Sequence, residues 1–236
     1  IMGHNSVYRS PTDMGVNRVG FAITNDAAVR EASRQEIIRR HFRYACEHAL
    51  GLAESSTVER AALIMEEVGA GPMDRRVVAP ARAAAEQARK ENKGHKGIYC
   101  GAAIQLADGT IITGRNSPLM HASASLVLNA IKHLAGIPDA IHLLSPSTIQ
   151  SIGSLKTNVF RAKTISMDLE ETLIALSISA ANNPTAQVAM EKLVQLQGCE
   201  VHLTHIPRPG DEAGLRRLGV NLTTDPVFSG SDLFQP

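Results

Sequence analysis

The sequence predicts an α/β protein in which a helical subdomain is followed by a three-layer α/β/α sandwich. Two apolar runs, at residues 98–106 and 110–113, are separated by Asp108-Gly109. Asp-Gly supplies the positive φ of a tight turn, so these runs predict a β-hairpin. A helix-period stretch begins near residue 121, and three helical patterns with short links precede the hairpin. With the elements in this order along the chain, helices are expected to pack on both faces of the sheet.

The N-terminal third predicts three helices. Asp26 is placed to cap the first, at residues 26–50, and Ser56 with Glu59 forms a capping-box pattern for the second, which ends near residue 68. Pro72 opens a third helix at residues 73–90, interrupted near Pro80. The polar stretch at residues 90–97 follows. We predict a structured loop over 1–25, a helical subdomain over 26–96, the sandwich over 97–225 and a tail over 226–236.

The second half alternates helices and strands. The apolar run at residues 140–144 predicts a buried strand, since turn residues bound it on both sides. Asp168 with Glu171 predicts a capped helix, and Asn183 is placed to cap another that starts at Pro184. Residues 199–206 and 220–224 predict strands, with a short helix at residues 210–218 between them.

Composition excludes several classes of function. The chain has 236 residues, of which 44% are apolar, and its net charge is +1, so no global field attracts nucleic acid or a membrane surface. Aromatic residues make up 3% and tryptophan is absent, which argues against base stacking. The three cysteines lack paired spacing, which indicates a reducing compartment, and no signal peptide or membrane span is evident. We therefore expect a cytoplasmic protein.

The region around the hairpin resembles the cytidine-deaminase-like fold. Thr113-Gly114-Arg115-Asn116 stands where members of that fold carry Thr-Gly-x-Asn after their second strand. The zinc chemistry does not follow, because His121-Ala122-Ser123 places serine where a deaminase needs its acid, and the chain has no Cys-x-x-Cys pair. We predict no metal and no cofactor. His121 alone is more typical of a polar residue at a helix start than of a ligand.

Small polar residues concentrate at the junctions between loops and helices, and they predict a site for a small anionic molecule. Unpaired amides at helix starts hold phosphates and carboxylates. The candidate acid or base is Asp13. The candidate ligand-binding residues are Arg9, Asn17, Thr113, Arg115, Asn116, Ser117, Ser123, Asn182, Asn183 and Thr185.

Each of these candidates has a plainer interpretation. The loop that carries Arg9, Asp13 and Asn17 can be a packed connector, and helix starts occur in every α/β protein. Asp211 and Glu212 begin a helix, where acids are favoured anyway, so we interpret them as caps. The proposed site therefore depends on whether these scattered residues converge in space.

Four phrases of the chain resemble the C-terminal half of a bacterial family called domain of unknown function 1846. They read SPTDMGVN at residues 10–17, EASRQEIIRR at 31–40, AANNPTA at 180–186 and RLGVNLT at 217–223. The resemblance implies a further N-terminal half absent from this chain, consistent with its opening on Ile1 instead of Met. It also implies a helical subdomain followed by a deaminase-like one, and it implies no reaction.

Two hypotheses of function follow. In the first, the chain is the C-terminal part of a larger cytoplasmic protein that binds a nucleotide-like or phosphorylated molecule. In the second, it is a non-catalytic module that holds subunits together, using the helices at residues 26–50 and 168–182 in a symmetric interface. The two are compatible, and either predicts a homo-oligomer.

Overall fold

A computed structural model describes residues 25–230, and within that range the chain forms a mixed α/β fold of eight α-helices and four strands. The helices are α1 (Asp26–Ala49), α2 (Ser55–Glu67), α3 (Val78–Lys90), α4 (Ala122–Leu134), α5 (Pro146–Ser154), α6 (Leu169–Ala180), α7 (Pro184–Glu191) and α8 (Pro209–Arg217). The strands are β1 (Gly101–Gln105), β2 (Ile111–Arg115), β3 (Glu200–Leu203) and β4 (Asn221–Thr224). A π-helical turn, Leu155–Val159, extends α5.

The four strands form one mixed sheet in the order β2-β1-β3-β4. β1 is antiparallel to both β2 and β3, whereas β3 and β4 are parallel. The predicted hairpin is confirmed, with Gly109 at φ +87° in its turn and Ile104 opposite Ile112. The α/β class is therefore confirmed; the cytidine-deaminase-like assignment and the division at residue 96 stay predictions.

Helices cover both faces of the sheet. Ala102 and Ile104 of β1 contribute to the main core with α4, α6 and α7, while Ala103, between them in sequence, packs with Val77 and Ala81 beside α3. This is the alternation expected of a strand that is buried on both sides. α3 belongs to the predicted helical subdomain and yet lies directly on the sheet.

The run at residues 140–144 differs from its prediction, because it forms a turn and a loop instead of a strand. The main-chain N–H of Ile141 donates to the Pro138 oxygen at 3.0 Å. Leu143 and Leu144 are 4% and 6% exposed, so the loop still contributes to the core. Short apolar runs indicate burial, but they do not specify whether a partner strand is present.

Helix caps were predicted with mixed success. The capping box of Asp168 and Glu171 is confirmed at the start of α6, and the Asn183 side chain caps α7. The predicted Ser56 cap is wrong, because α2 begins two residues earlier than predicted, at Ser55, and has Glu54 as its N-cap. Within residues 25–230 no helix combines the length and the apolar character needed to cross a membrane.

Candidate functional site

The N-terminal ends of α4 and α8 line a narrow cleft of about 80 Å³. α6 begins next to it, since the Leu169 N–H donates to the Asp211 carboxylate. Histidines, hydroxyl-bearing side chains and an arginine line the cleft together with the apolar side chain of Ile98. Its lining includes His95, Cys100, Asn116, Ser117, His121, Thr164, Ser166, His205, Arg208 and Asp211. A cleft where several helix starts meet is a favourable place for negative charge.

Backbone contacts hold the three helix starts together. The His121 N–H donates to the Met167 oxygen at 2.9 Å, and the Met167 N–H donates to the Leu119 oxygen at 2.9 Å, so the residues before α4 and α6 are joined. α8 approaches through Gly210, where an added Cβ would lie 2.2 Å from the Asp168 carboxylate. Glycine is thus required at this contact.

The carboxylate of Asp211, in the first turn of α8, lies at the centre of this arrangement and is 1% exposed. His121 Nδ1 donates to Oδ2 at 2.7 Å, the Leu169 N–H donates to Oδ1 at 3.0 Å, and the Ser123 hydroxyl also donates to Oδ1. Burial acts to raise the pKa of Asp211, but these hydrogen bonds outweigh it and lower the pKa below its ordinary value. Asp211 is therefore ionised at neutral pH.

The contact with Asp211 fixes which nitrogen of His121 carries the proton. An ionised carboxylate only accepts, so Nδ1 is protonated and Nε2 is left as the basic nitrogen of the neutral ring. The His121 side chain is 19% exposed and lines the cleft. Because Asp211 lies between Ser123 and His121, the serine donates to the acid and is not arranged as a nucleophile activated by the histidine. The pair suits proton transfer.

Two buried side chains beside His121 are held neutral. Burial and the charge of Asp211 raise the pKa of the Cys100 thiol to about 12, which excludes a thiolate nucleophile at neutral pH. Burial lowers the pKa of His205 to about 4, although the nearby carboxylates act against it. His205 is 8% exposed, and among the described residues its Nδ1 has no hydrogen-bond partner. A buried unpaired nitrogen of this kind is unusual in a native fold.

The positive charge of the cleft comes from Arg208, the exposed residue that precedes α8. Within residues 25–230 its guanidinium makes no ion pair or hydrogen bond. A second cleft of about 370 Å³ adjoins the first, and the two share Cys100 and His205 in their walls. Arg82 and Arg89 line the second cleft.

Two of the predicted site residues, Asn116 and Ser117, line the His121 cleft, and a third, Ser123, is connected to it through Asp211. Ser123 is 2% exposed and bonded to Asp211. Asn116 is used structurally, since its side chain accepts from the Cys100 N–H at 2.8 Å and donates to the Ile98 oxygen at 2.9 Å. The Ser117 hydroxyl accepts from two main-chain N–H groups of the loop that follows β2.

Other predicted residues do not line this cleft. Arg115 forms an ion pair with Glu91 at 3.0 Å, and Thr113 is exposed on the edge strand β2. Asn182 is exposed, and the Asn183 side chain accepts from the Thr185 N–H at 3.0 Å as the cap of α7. Arg9, Asp13 and Asn17 lie outside the residues that the structure describes.

Sequence reasoning missed the residues that define the cleft. His121 does stand at the start of α4, as its N-cap. The interpretation of Asp211 as a helix cap is wrong, because Arg208 is the N-cap of α8 and the Asp211 carboxylate accepts from His121, Ser123 and Leu169 instead. The signal that could have singled out His121 is the resemblance of its surroundings to the deaminase-like fold, which stays a prediction. In the part of the chain described, no group of three or more His, Cys, Asp or Glu residues is arranged to hold a metal ion.

Comparison with known proteins gives two family matches that together cover most of the chain. Residues 1–69 match the N-terminal domain of unknown function DUF1846, and residues 73–234 match its C-terminal domain. The expectation of a C-terminal half alone is therefore not supported.

Curated relatives agree with these matches. A UPF0371 protein of Clostridium botulinum strain Alaska E43 is 51% identical over 237 residues, which cover 99% of this chain and 46% of that protein. UPF0371 proteins of the Langeland and Okra strains are each 50% identical over 235 residues, with the same coverage. The chain thus spans about half the length of the curated relatives it matches.

Proposed function

The chain belongs to the DUF1846 family, and on that premise we propose that it binds a small anionic metabolite in the His121 cleft. The observation that carries the proposal is Arg208, a guanidinium without an ion partner among residues 25–230, at a cleft lined by the starts of α4 and α8. Arginine recognises carboxylates and phosphates through paired hydrogen bonds, and helix starts add to the attraction.

The size of the two clefts supports a phosphorylated or nucleotide-like ligand. The cleft of about 80 Å³ has room for an anionic group, whereas the adjoining cleft of about 370 Å³ has room for a sugar or a base. Ser117 also lines the first cleft; its hydroxyl accepts from two main-chain N–H groups and keeps its own proton to donate to a ligand.

His121 is the residue we expect to exchange a proton with the bound molecule. The hydrogen bond between Nδ1 and Asp211 fixes the orientation of the imidazole ring and leaves Nε2 as its basic nitrogen. A ligand in the cleft would therefore meet this basic nitrogen. Ser123 and Leu169 act through Asp211, because their hydrogen bonds hold its carboxylate in place.

Ligand binding is tested by thermal shift and calorimetry with inorganic phosphate, ribose 5-phosphate and adenosine monophosphate. We expect at least one of them to stabilise the protein, and Arg208→Gln to weaken its affinity about tenfold or more, since a charge-assisted hydrogen bond contributes roughly 1.5–3 kcal/mol. Arg216→Gln is the matched control, because Arg216 lies on the same helix and its side chain is 69% exposed. A flat response to all three compounds at millimolar concentration would refute the proposal.

We also propose that the sandwich has the cytidine-deaminase-like topology. Support comes from the sheet order β2-β1-β3-β4, with an antiparallel hairpin feeding α4, and from the position of His121 at the start of that helix. An experimental structure tests this topology, which would be refuted if the strands were connected in another order.

A second candidate function is assembly, and exposed apolar residues on α6 favour it. Ile174 and Ile178 are 61% and 56% exposed, and their spacing of four residues places them on one face of the helix. An exposed apolar pair on a helix whose opposite face is buried in the core is typical of a subunit interface.

Light scattering tests the assembly function. We expect an oligomer that Ile174→Glu with Ile178→Glu converts to a monomer, because burying two carboxylates in an apolar interface is costly. A monomeric native protein would refute it.

A further inference from the structure

A further cavity, separate from the two clefts described above, is a groove of about 760 Å³ that runs along α4. One face of α4 forms its floor through Ser125, Leu128, Asn129 and Lys132, which have the helical spacing i, i+3, i+4 and i+7. Residues 141–157 and Ile165 contribute the other wall, which is mostly apolar. Among the described residues, none lines both this groove and the His121 cleft.

Lys132 is the feature of the groove that general packing does not explain. It is 9% exposed, and its Nζ donates to the Asp139 main-chain oxygen at 2.7 Å. Within residues 25–230 no carboxylate lies close enough to form an ion pair with it. An ammonium group has three donors, so one neutral acceptor leaves most of its hydrogen-bonding capacity unused.

A buried cation without a counter-ion is costly, and a ligand that supplies a negative charge would remove much of that cost. The rest of the groove offers mainly apolar surface, including Met120, Leu144 and Ile149. Its volume lies within the range of about 300–1,000 Å³ that is usual for small-molecule sites.

We propose that this groove binds an amphipathic monocarboxylate, a molecule with an aliphatic body and one carboxylate group. The carboxylate accepts a charge-assisted hydrogen bond from Lys132, and the aliphatic body covers the wall formed by Ile149 and Ile165. One lysine in a mostly apolar lining matches one carboxylate better than a phosphate ester, which would leave polar oxygens against Leu128. This site is independent of the ligand proposed for the His121 cleft.

The test is isothermal titration calorimetry of the protein with hexanoate, octanoate, decanoate and decanol. We expect affinity to rise along the carboxylate series by up to about fourfold per methylene group, because each one buries apolar surface. Decanoate should bind more tightly than decanol. Lys132→Met keeps the length of the side chain and removes its charge, so it should weaken decanoate about tenfold or more and leave decanol within about twofold.

Two further variants keep the outcome interpretable. Lys90→Met is the matched control, since the Lys90 side chain is 74% exposed on α3 and lies away from the groove, and its decanoate affinity should equal that of the native protein. Gln150→Trp fills the groove from an exposed position and should abolish binding of both decanoate and decanol, even if Lys132→Met fails to fold. Absence of decanoate binding to the native protein, or equal affinities for decanoate and decanol, would overturn the proposal.

Discussion

Replacing Asp211 by asparagine removes the charge at the centre of the His121 cleft and changes little else in size. The native carboxylate accepts hydrogen bonds from His121, Ser123 and Leu169, and it is 1% exposed. Asparagine retains one acceptor oxygen, which can keep the hydrogen bonds from Ser123 and Leu169. Its NH2 group then faces His121 Nδ1. Two donors cannot share that contact, so His121 must move its proton from Nδ1 to Nε2.

The size of the effect follows from these contacts. One charge-assisted hydrogen bond, worth roughly 1.5–3 kcal/mol, is replaced, and the two retained bonds weaken to neutral strength near 1 kcal/mol each. We therefore expect Asp211→Asn to lower the free energy of unfolding by about 2–4 kcal/mol at pH 7. For a chain of this size, that corresponds to a fall in Tm of roughly 4–16 °C.

The effect must also depend on pH in a defined direction. The pKa of Asp211 is lowered in the folded protein, so its stabilising contribution is complete above the unfolded value near 4 and is lost as the pH falls through the folded pKa. Urea unfolding of both proteins between pH 7 and pH 3 measures this, and the difference between them should shrink at the acidic end.

Two results would refute the reasoning about Asp211. The first is a loss of stability below about 1 kcal/mol, which would mean that the buried hydrogen bonds are replaced without cost. The second is a His121 ring whose ¹⁵N spectrum shows the same protonated nitrogen in both proteins, because the substitution is expected to reverse the tautomer.

Two further substitutions test the packing around the sheet. Hydrogen bonds from Arg82, together with His202 Nε2 at 3.3 Å, overcome the burial of Asp225 and lower its pKa to about 2. Asp225→Asn should therefore cost about 2 kcal/mol at pH 7 in urea unfolding, and this difference should disappear as the pH falls from about 4 towards 2. Gly101→Ala should destabilise by roughly 1–3 kcal/mol in thermal unfolding, because its Cβ would lie 2.2 Å from the Ala81 main-chain oxygen.

Both substitutions have matched controls. Gly71 has open space around an added Cβ, so Gly71→Ala should change stability far less than Gly101→Ala does. Equal effects of the two substitutions would contradict the steric argument. Asp108 is an exposed carboxylate in the hairpin turn that accepts from the Thr110 N–H, so Asp108→Asn should cost less than Asp225→Asn at pH 7. An acid profile unchanged by Asp225→Asn would contradict its assigned pKa.

Local chemistry made several elements predictable. The Asp108-Gly109 turn with apolar runs on both sides specified the hairpin, and Asp168 with Glu171 specified the start of α6. These signals work because the residues that form each element are neighbours in sequence. The run at residues 140–144 has no such local determinant, since pairing depends on whether another strand is present beside it.

The candidate site was only partly predictable for the same reason. Helix starts and their polar residues were visible one at a time, and Asn116, Ser117 and Ser123 do lie at the cleft. The interaction of His121 with Asp211 joins residues 90 positions apart, and no sequence pattern links them.

The α/β class, the hairpin and most helix starts could be predicted from the chain alone, because they depend on local periodicity and turn chemistry. The lack of a Cys-x-x-Cys pair is likewise a matter of residue type. The arrangement of α4, α6 and α8 around one buried carboxylate is visible only in the folded chain. The same is true of Lys132, which lines an apolar groove without a carboxylate partner within residues 25–230. The physical reason is that burial and hydrogen bonding between distant residues depend on how the elements pack, and packing is a property of the whole chain.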